Sequence, residues 1–224
     1  MRLLRGRADD HERDYERTRE MVARVASEDE AAVRVWTPHR QVAFGRRDRR
    51  AEGYNRAQAA ASERGYAVLE RAVGGRAVAY TGSTAAFALA EPIAESRGDI
   101  GARYDRVAAA VRRALGAVGV DATEGEPPDA FCPGSHSLQA GGKIVGLAQR
   151  VRQDVALTAG IVVVRDHDAI AAVLDPVYAA LGVPFDPPSV GSVARADGDA
   201  DAISGALETE LVEERPVTAV ETVF

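Results

Sequence analysis

Residues 137–146 read SLQAGGKIVG, and this stretch predicts a β-hairpin. Two short strand-like segments flank Gly141 and Gly142, and glycines take the positive φ angles of a two-residue turn without strain. Around this hairpin, further short strands alternate with helical segments. The pattern predicts an α+β fold with a mixed, largely antiparallel sheet flanked by helices, and not a doubly wound parallel sheet.

Apolar periodicity predicts the remaining elements. Helices are predicted at residues 9–27, 55–64, 100–115, 168–174 and 200–213, and strands at residues 32–36, 41–44, 66–69, 77–80, 85–89 and 155–164. Strands 77–80 and 85–89 are predicted to be neighbours joined by a turn at 81–84. Pro176 is predicted to belong to the loop that follows the fourth helix.

Composition narrows the class of protein. The chain has 224 residues, of which 46% are hydrophobic and 28% charged, so a single domain over residues 1–224 can bury a full core. The longest apolar run is far shorter than the roughly 20 residues of a membrane helix, and neither membrane nor signal peptide is expected. A single cysteine is consistent with a reducing, cytoplasmic location. The net charge of −6 argues against nucleic acid as a partner.

One local cluster is strongly basic, namely Arg46-Arg47-Asp48-Arg49-Arg50. It has two interpretations, a solvated loop or a contact surface for an acidic partner.

A glycine pair lies between two arginines in ERAVGGRAVAY, residues 70–80. Backbone amides at Gly74 and Gly75, with the guanidinium groups of Arg71 and Arg76, could surround an anion. The spacing matches neither a phosphate-binding loop nor a dinucleotide fingerprint. A plain turn between strands stays open as the alternative.

Cys132 is the only cysteine and lies in the loop sequence FCPGSH. A thiol near a cation can become a nucleophilic thiolate, and His136 is close enough in sequence to influence it. An inert small side chain is the alternative. The histidines are scattered singly, so no metal site is predicted.

Lys143 is the only lysine, although Lys and Arg together number 28. An ammonium is a compact charge that approaches an oxygen more closely than a forked guanidinium does, which indicates a functional lysine. A tolerated surface lysine is the alternative.

At these residues the sequence resembles the lipoate-protein ligase and octanoyl- or lipoyl-transferase family, which shares its catalytic domain with biotin protein ligases. The family carries an arginine and a glycine run leading into a strand, here residues 70–89, and a Lys-Ile-x-Gly-x-Ala-Gln stretch, here residues 143–149. RVWTPHRQVAFGRRD, residues 34–48, resembles the preceding strand pair. The resemblance implies the biotin/lipoate protein ligase-like, class II synthetase-like fold. It implies catalytic roles for Lys143 and Cys132, and substrate contacts for Arg71, Gly74, Gly75, Arg76, Tyr80, Gly146 and Ala148.

The chain also departs from the family pattern. Arg76 replaces a third glycine, Tyr80 replaces a histidine, and residues 157–160 replace the histidine-glycine-threonine stretch of many ligases. A C-terminal accessory domain is expected to be missing. CPGSHSL, residues 132–138, resembles the subgroup that moves octanoyl or lipoyl groups through a cysteine thioester without ATP.

The resemblance therefore implies transfer of an octanoyl or lipoyl group to a lysine of a lipoyl domain or glycine-cleavage H protein. One alternative is an ATP- and Mg-dependent lipoate ligase that forms acyl-AMP at Arg71, Gly74, Gly75 and Lys143, with a possible separate accessory subunit. Another is a non-catalytic lipoyl-binding module. A straight strand would place Cys132 about 26 Å from the hairpin turn, at ~3.3 Å per residue. The thioester scheme therefore requires the loop to bend inward.

Overall fold

The computed structural model describes residues 1–71, 75–93, 100–152 and 154–224. Its α-helices are α1 (His11–Glu28), α2 (Tyr54–Ser62), α3 (Ile100–Ala117), α4 (His167–Leu181) and α5 (Ile203–Val212). Its strands are β1 (Arg2–Gly6), β2 (Ala32–Trp36), β3 (Gln41–Phe44), β4 (Ala67–Glu70), β5 (Val78–Tyr80), β6 (Ala85–Pro92), β7 (Thr123–Glu124), β8 (Ser137–Gln139), β9 (Lys143–Val151), β10 (Val155–Val162) and β11 (Ala219–Val223).

The strands form two sheets. The large sheet has the order β11-β1-β2-β6-β10-β9-β8-β7, and the small sheet has the order β4-β3-β5. Strand β1 pairs in parallel with β11 and β2, and β3 pairs in parallel with β4. The other pairs are antiparallel. The expected α+β fold with a mixed, largely antiparallel sheet is therefore confirmed.

Strand β6 shows how the large sheet separates two apolar layers. Phe87 and Leu89 are buried on the face that packs against α3 and α5. Ala88 and Ala90 belong to the opposite face and pack with α1. Successive residues of a strand point to opposite faces, so this alternation places large side chains in the main core and small ones on the other side.

The small sheet has its own core. Val42 and Phe44 of β3 are fully buried with Ala57 of α2 and Leu174 of α4. This packing leaves Gln41 and Ala43, the alternate residues of β3, to face a cavity.

The predicted hairpin is confirmed as β8 and β9, but the predicted two-residue turn is wrong, because Gln139 pairs with Lys143 and the loop has three residues, 140–142. Gly141 and Gly142 have φ angles of 61° and 138°, and Ala140 N donates to Gly142 O over 3.0 Å. A Cβ atom on Gly142 would lie 2.6 Å from Gly191 N, so the close approach of the two backbones also requires glycine. Lys143 is consequently the first residue of a strand in the large sheet.

Two other predictions of secondary structure are wrong. Strands β5 and β6 are not neighbours, because β5 pairs with β3 in the small sheet whereas β6 pairs with β2 and β10. Thr81 N donates to Thr84 Oγ1 over 3.2 Å in the turn where the chain changes sheet. Helix α4 does not end before Pro176 but continues to Leu181. Burial of Val177 and Tyr178 offsets the backbone hydrogen bond that proline cannot donate.

Strands β1 and β11 were not predicted. They bring the two ends of the described chain together, with Leu3 in register with Val220.

Candidate functional site

A largely apolar cavity of about 170 Å³ lies between the two sheets. The small sheet contributes Ala43 and Tyr80, and the large sheet contributes Gly146, Ala148 and Ala159. The side of the cavity formed by the large sheet leaves space free, because Gly146, Ala148 and Ala159 have small side chains or none. Arg71 and Cys132 line the same cavity, so a guanidinium and a thiol adjoin an apolar volume.

The Cys132 backbone is held in an uncommon conformation. Its φ angle is 44°, in the left-handed region, and its N–H donates to Tyr178 Oη over 2.6 Å. Tyr178 in turn donates its hydroxyl proton to Ala77 O over 2.9 Å. Burial, together with the adjacent Cys132, raises the pKa of Tyr178 well above its usual value, so the phenol stays neutral and keeps this bond. Helix α4 therefore fixes the cysteine relative to the strand after the glycine run.

Two N–H donors point at the cysteine sulfur. Arg71 Nη2 and the backbone N of Arg76 each lie 3.2 Å from Cys132 Sγ. Burial alone would lower the pKa of Arg71, but the neighbouring Cys132 and Tyr80 outweigh it and the pKa is raised. A charged guanidinium therefore lies within hydrogen-bond distance of the Cys132 sulfur.

Gly75 makes this approach possible. Its φ angle is 94°, and a Cβ atom there would lie 2.6 Å from Cys132 Sγ and 2.8 Å from Arg71 Nη2. Any side chain would thus displace the sulfur or the guanidinium. The interpretation of Gly75 as a plain turn residue does not account for this contact.

Lys143 is fully buried, so the surface-lysine interpretation is wrong. Its Nζ donates to Glu126 Oε2 over 2.6 Å, to Phe131 O over 2.9 Å and to Cys132 O over 2.8 Å. These three acceptors match the three protons of an ammonium. The loop between β7 and β8 therefore bends inward and brings the Cys132 backbone to Lys143, as the thioester scheme requires.

Glu126, like Tyr178, is a residue of the site that sequence reasoning missed. Its Oε1 accepts from Gly134 N over 2.9 Å, and its Oε2 accepts from Ser137 Oγ over 2.8 Å in addition to Lys143. The carboxylate thus fixes the chain on the C-terminal side of Cys132. The signal in the sequence is only an acidic residue six positions before the cysteine.

The remaining predicted residues fall into three groups. Tyr80 lines the cavity near Arg71, and burial raises the pKa of its phenol. Gly146 and Ala148 line the opposite wall, where Lys143 Cε lies 3.6 Å from the Cβ position of Gly146. Gly74 lies outside the described residues.

His136 does not contact Cys132 within the described ranges. Its ring stacks on Tyr104 at a centroid distance of 3.9 Å. Among the residues that the structure describes, no group of three or more His, Cys, Asp or Glu side chains could hold a metal ion.

Comparisons with known proteins show the family and the fold. The family model described as the lipoyl protein ligase A/B catalytic domain matches residues 12–181. The chain belongs to this family. A curated relative, octanoyl-[GcvH]:protein N-octanoyltransferase of Geobacillus kaustophilus, is 31% identical over 134 residues, which are 59% of this chain and 47% of the relative. The chain therefore matches about half the length of that relative.

Two solved structures show the lipoate-ligase fold. Lipoate-protein ligase A bound with ATP has a TM-score of 0.77 and 22% identity, covering 100% of this chain and 89% of the other. A bipartite lipoate protein ligase from Thermoplasma acidophilum, studied with its E2 lipoyl domain, has a TM-score of 0.71 and 22% identity, covering 100% and 87%. Within the described residues, no helix is long and apolar enough to cross a membrane.

Proposed function

We propose that this member of the lipoyl protein ligase family transfers an octanoyl or lipoyl group to a protein lysine through a thioester on Cys132. The observation that carries the proposal is the position of Cys132 Sγ, at an apolar cavity and 3.2 Å from each of two N–H donors. An inert cysteine needs neither donor.

The cavity suits an acyl chain. Apolar ligands enter dry apolar cavities, and one of about 150 Å³ holds benzene, so a volume of about 170 Å³ accepts an apolar segment at least as large as benzene. Gly146 and Ala148 leave this space open, and Tyr80 borders it beside Arg71. These residues are assigned to substrate binding.

In the first step, the Cys132 thiolate attacks the carbonyl carbon of the acyl donor. A carbon–sulfur bond forms, the bond from the carbonyl to the donor's leaving group breaks, and the leaving group departs with a proton from solvent. Arg71 and the Arg76 amide, each 3.2 Å from the sulfur, are the donors proposed to stabilise the negative charge that develops on the carbonyl oxygen as the bond to sulfur forms.

Lys143 acts on the same centre through the backbone. Its ammonium donates to the carbonyl oxygen of Cys132 as well as to Glu126 Oε2 and Phe131 O, so it holds the loop that carries the sulfur. Lys143→Arg should lower transfer by orders of magnitude, because a planar guanidinium cannot satisfy the same three acceptors.

In the second step, the ε-amine of the acceptor lysine attacks the thioester. An amide bond forms, the carbon–sulfur bond breaks, and the proton lost by the amine restores the Cys132 thiol. The name of the curated relative gives an octanoylated glycine-cleavage H protein as acyl donor and a second protein as acceptor. We propose that this chain likewise exchanges acyl groups with lysines of a glycine-cleavage H protein or a lipoyl domain.

The test is acyl transfer to a glycine-cleavage H protein under two conditions, with an octanoylated carrier or with lipoate, ATP and Mg²⁺. We expect transfer from the carrier without ATP, and loss of that transfer in Cys132→Ala. Full ATP-dependent modification by Cys132→Ala would instead support a ligase that works through acyl-AMP. Binding of octanoate without any modification of the acceptor would support a non-catalytic module.

A further inference from the structure

The basic cluster of residues 46–50 lies directly beside the cysteine site. Asp48 is fully buried, and its carboxylate accepts from Gly45 N over 2.9 Å and pairs with Arg76 Nη1 over 3.3 Å. Arg76 is the residue whose backbone N–H contacts Cys132 Sγ. Arg76 therefore contacts the basic loop through its side chain and the Cys132 sulfur through its backbone N–H.

Backbone packing holds the loop in this place. A Cβ atom on Gly45 would lie 2.0 Å from Gly75 O, so the turn that begins the loop touches the turn at the sulfur. Residues 48–50 form a short 3₁₀ turn, closed by a bond from Ala51 N to Asp48 O of 2.9 Å. The arginines of residues 46–50 therefore lie on a segment whose backbone is held in place by these contacts.

Three of the four arginines face solvent without an acidic partner. Arg46, Arg47 and Arg50 are exposed and form no ion pair within the described ranges, whereas Arg49 pairs with Glu70 over 2.9 Å. The chain carries a net charge of −6, so this positive surface is a local feature. Exposed charge of one sign beside a site attracts a partner of the opposite sign and sets its orientation.

We infer that Arg46, Arg47 and Arg50 form the docking surface for an acidic face of the carrier protein that exchanges acyl groups with Cys132. This inference rests on the proposed function, since that reaction needs a protein to present a tethered thioester or a lysine at the sulfur. A nucleic acid is disfavoured, because its phosphates would meet an acidic molecule beyond this one loop.

The experiment compares a loop variant, Arg46→Gln/Arg47→Gln, with a control variant of the same net charge, Arg64→Gln/Arg112→Gln. Arg64 and Arg112 are exposed and belong to other parts of the surface. Each protein is acylated from an octanoylated glycine-cleavage H protein and from the octanoyl thioester of N-acetylcysteamine, a small neutral donor. We expect the KM for the protein donor to rise about fivefold to tenfold in the loop variant and to stay unchanged in the control variant. This is the size of effect expected when two charged contacts at the rim of an interface are lost. With the small donor, the parent protein, the loop variant and the control variant should be acylated at the same rate.

Titration calorimetry with the unmodified H protein measures docking without chemistry. Its Kd should rise in the loop variant and depend less on salt than in the parent. Equal Kd and KM in the two variants would overturn the inference. So would a loop variant that loses DNA or RNA binding while its affinity for the H protein is unchanged. Failure of the unaltered protein to take an acyl group from the small donor would count against the thioester scheme, while the calorimetry would still decide the docking surface.

Discussion

Removing the Glu126 carboxylate should destabilise the protein strongly, because it leaves the Lys143 ammonium buried without a counter-charge. The Lys143 side chain is 0% exposed and that of Glu126 is 18% exposed. Deleting one partner of a buried ion pair costs about 3–5 kcal/mol. Since Glu126 reaches the surface, water can enter the vacated space, and we expect the lower end, about 3 kcal/mol, for Glu126→Ala.

Thermal and urea unfolding measure this loss. For a domain of this size, 1 kcal/mol shifts Tm by about 2–4 °C, so Glu126→Ala should lower Tm by about 6–12 °C. Glu124→Ala is the matched control, since Glu124 is an exposed residue of the neighbouring strand and should change stability by no more than about 0.5 kcal/mol.

A double-mutant cycle separates the ion pair from general damage to the loop. Glu126→Ala/Lys143→Met removes both charges, so its loss should be smaller than the sum of the two single losses by about 1–3 kcal/mol. Additive losses, or an unchanged Tm in Glu126→Ala, would refute the assignment of Glu126 as the counter-charge of Lys143.

Three further changes test the site. Gly75→Ala places a methyl group against Cys132 Sγ and should reduce the rate at which a thiol reagent labels the cysteine, whereas unchanged labelling would show that the turn can relax. Tyr178→Phe removes the acceptor of the Cys132 N–H and should destabilise the protein by about 1–3 kcal/mol. The difference in ultraviolet titration between the parent protein and Tyr178→Phe should show that Tyr178 is still neutral at pH 10, because burial raises its pKa well above the usual value, and ionisation of Tyr178 by pH 10 would contradict this. Ala148→Trp should fill the cavity and abolish octanoate binding in calorimetry while the fold is kept, and undiminished binding would place the acyl chain elsewhere.

The local elements of this fold are readable from the sequence, and the pairing of distant strands is not. Strands β2 and β3 begin and end where the apolar pattern places them, because the pattern and the flanking Pro38 and Gly45 are local signals. Strands β1 and β11 pair across the whole chain, and only tertiary structure reveals that contact. The separation of β5 from β6 into two sheets likewise depends on partners far away in sequence.

The same distinction between local signals and long-range contacts applies to the candidate site. The single lysine and single cysteine were identifiable because each is unique in its chemistry within the chain. Their proximity was not, since it depends on a loop whose φ angles at Asp129 and Cys132, 52° and 44°, lie in a region that most residues avoid. Glu126 was missed because one glutamate among many carries no local signal of its contact with Lys143, 17 positions later.

The most direct test of the central claim is intact-protein and peptide mass spectrometry of the enzyme after brief incubation with an octanoylated carrier and no acceptor. We expect one octanoyl group on the peptide that contains Cys132, lost on treatment with hydroxylamine and transferred when an H protein is added. Cys132→Ser should lack this adduct, because a serine hydroxyl is far less acidic than a thiol. An unmodified Cys132 peptide in an enzyme that still acylates its acceptor at the full rate would contradict the account.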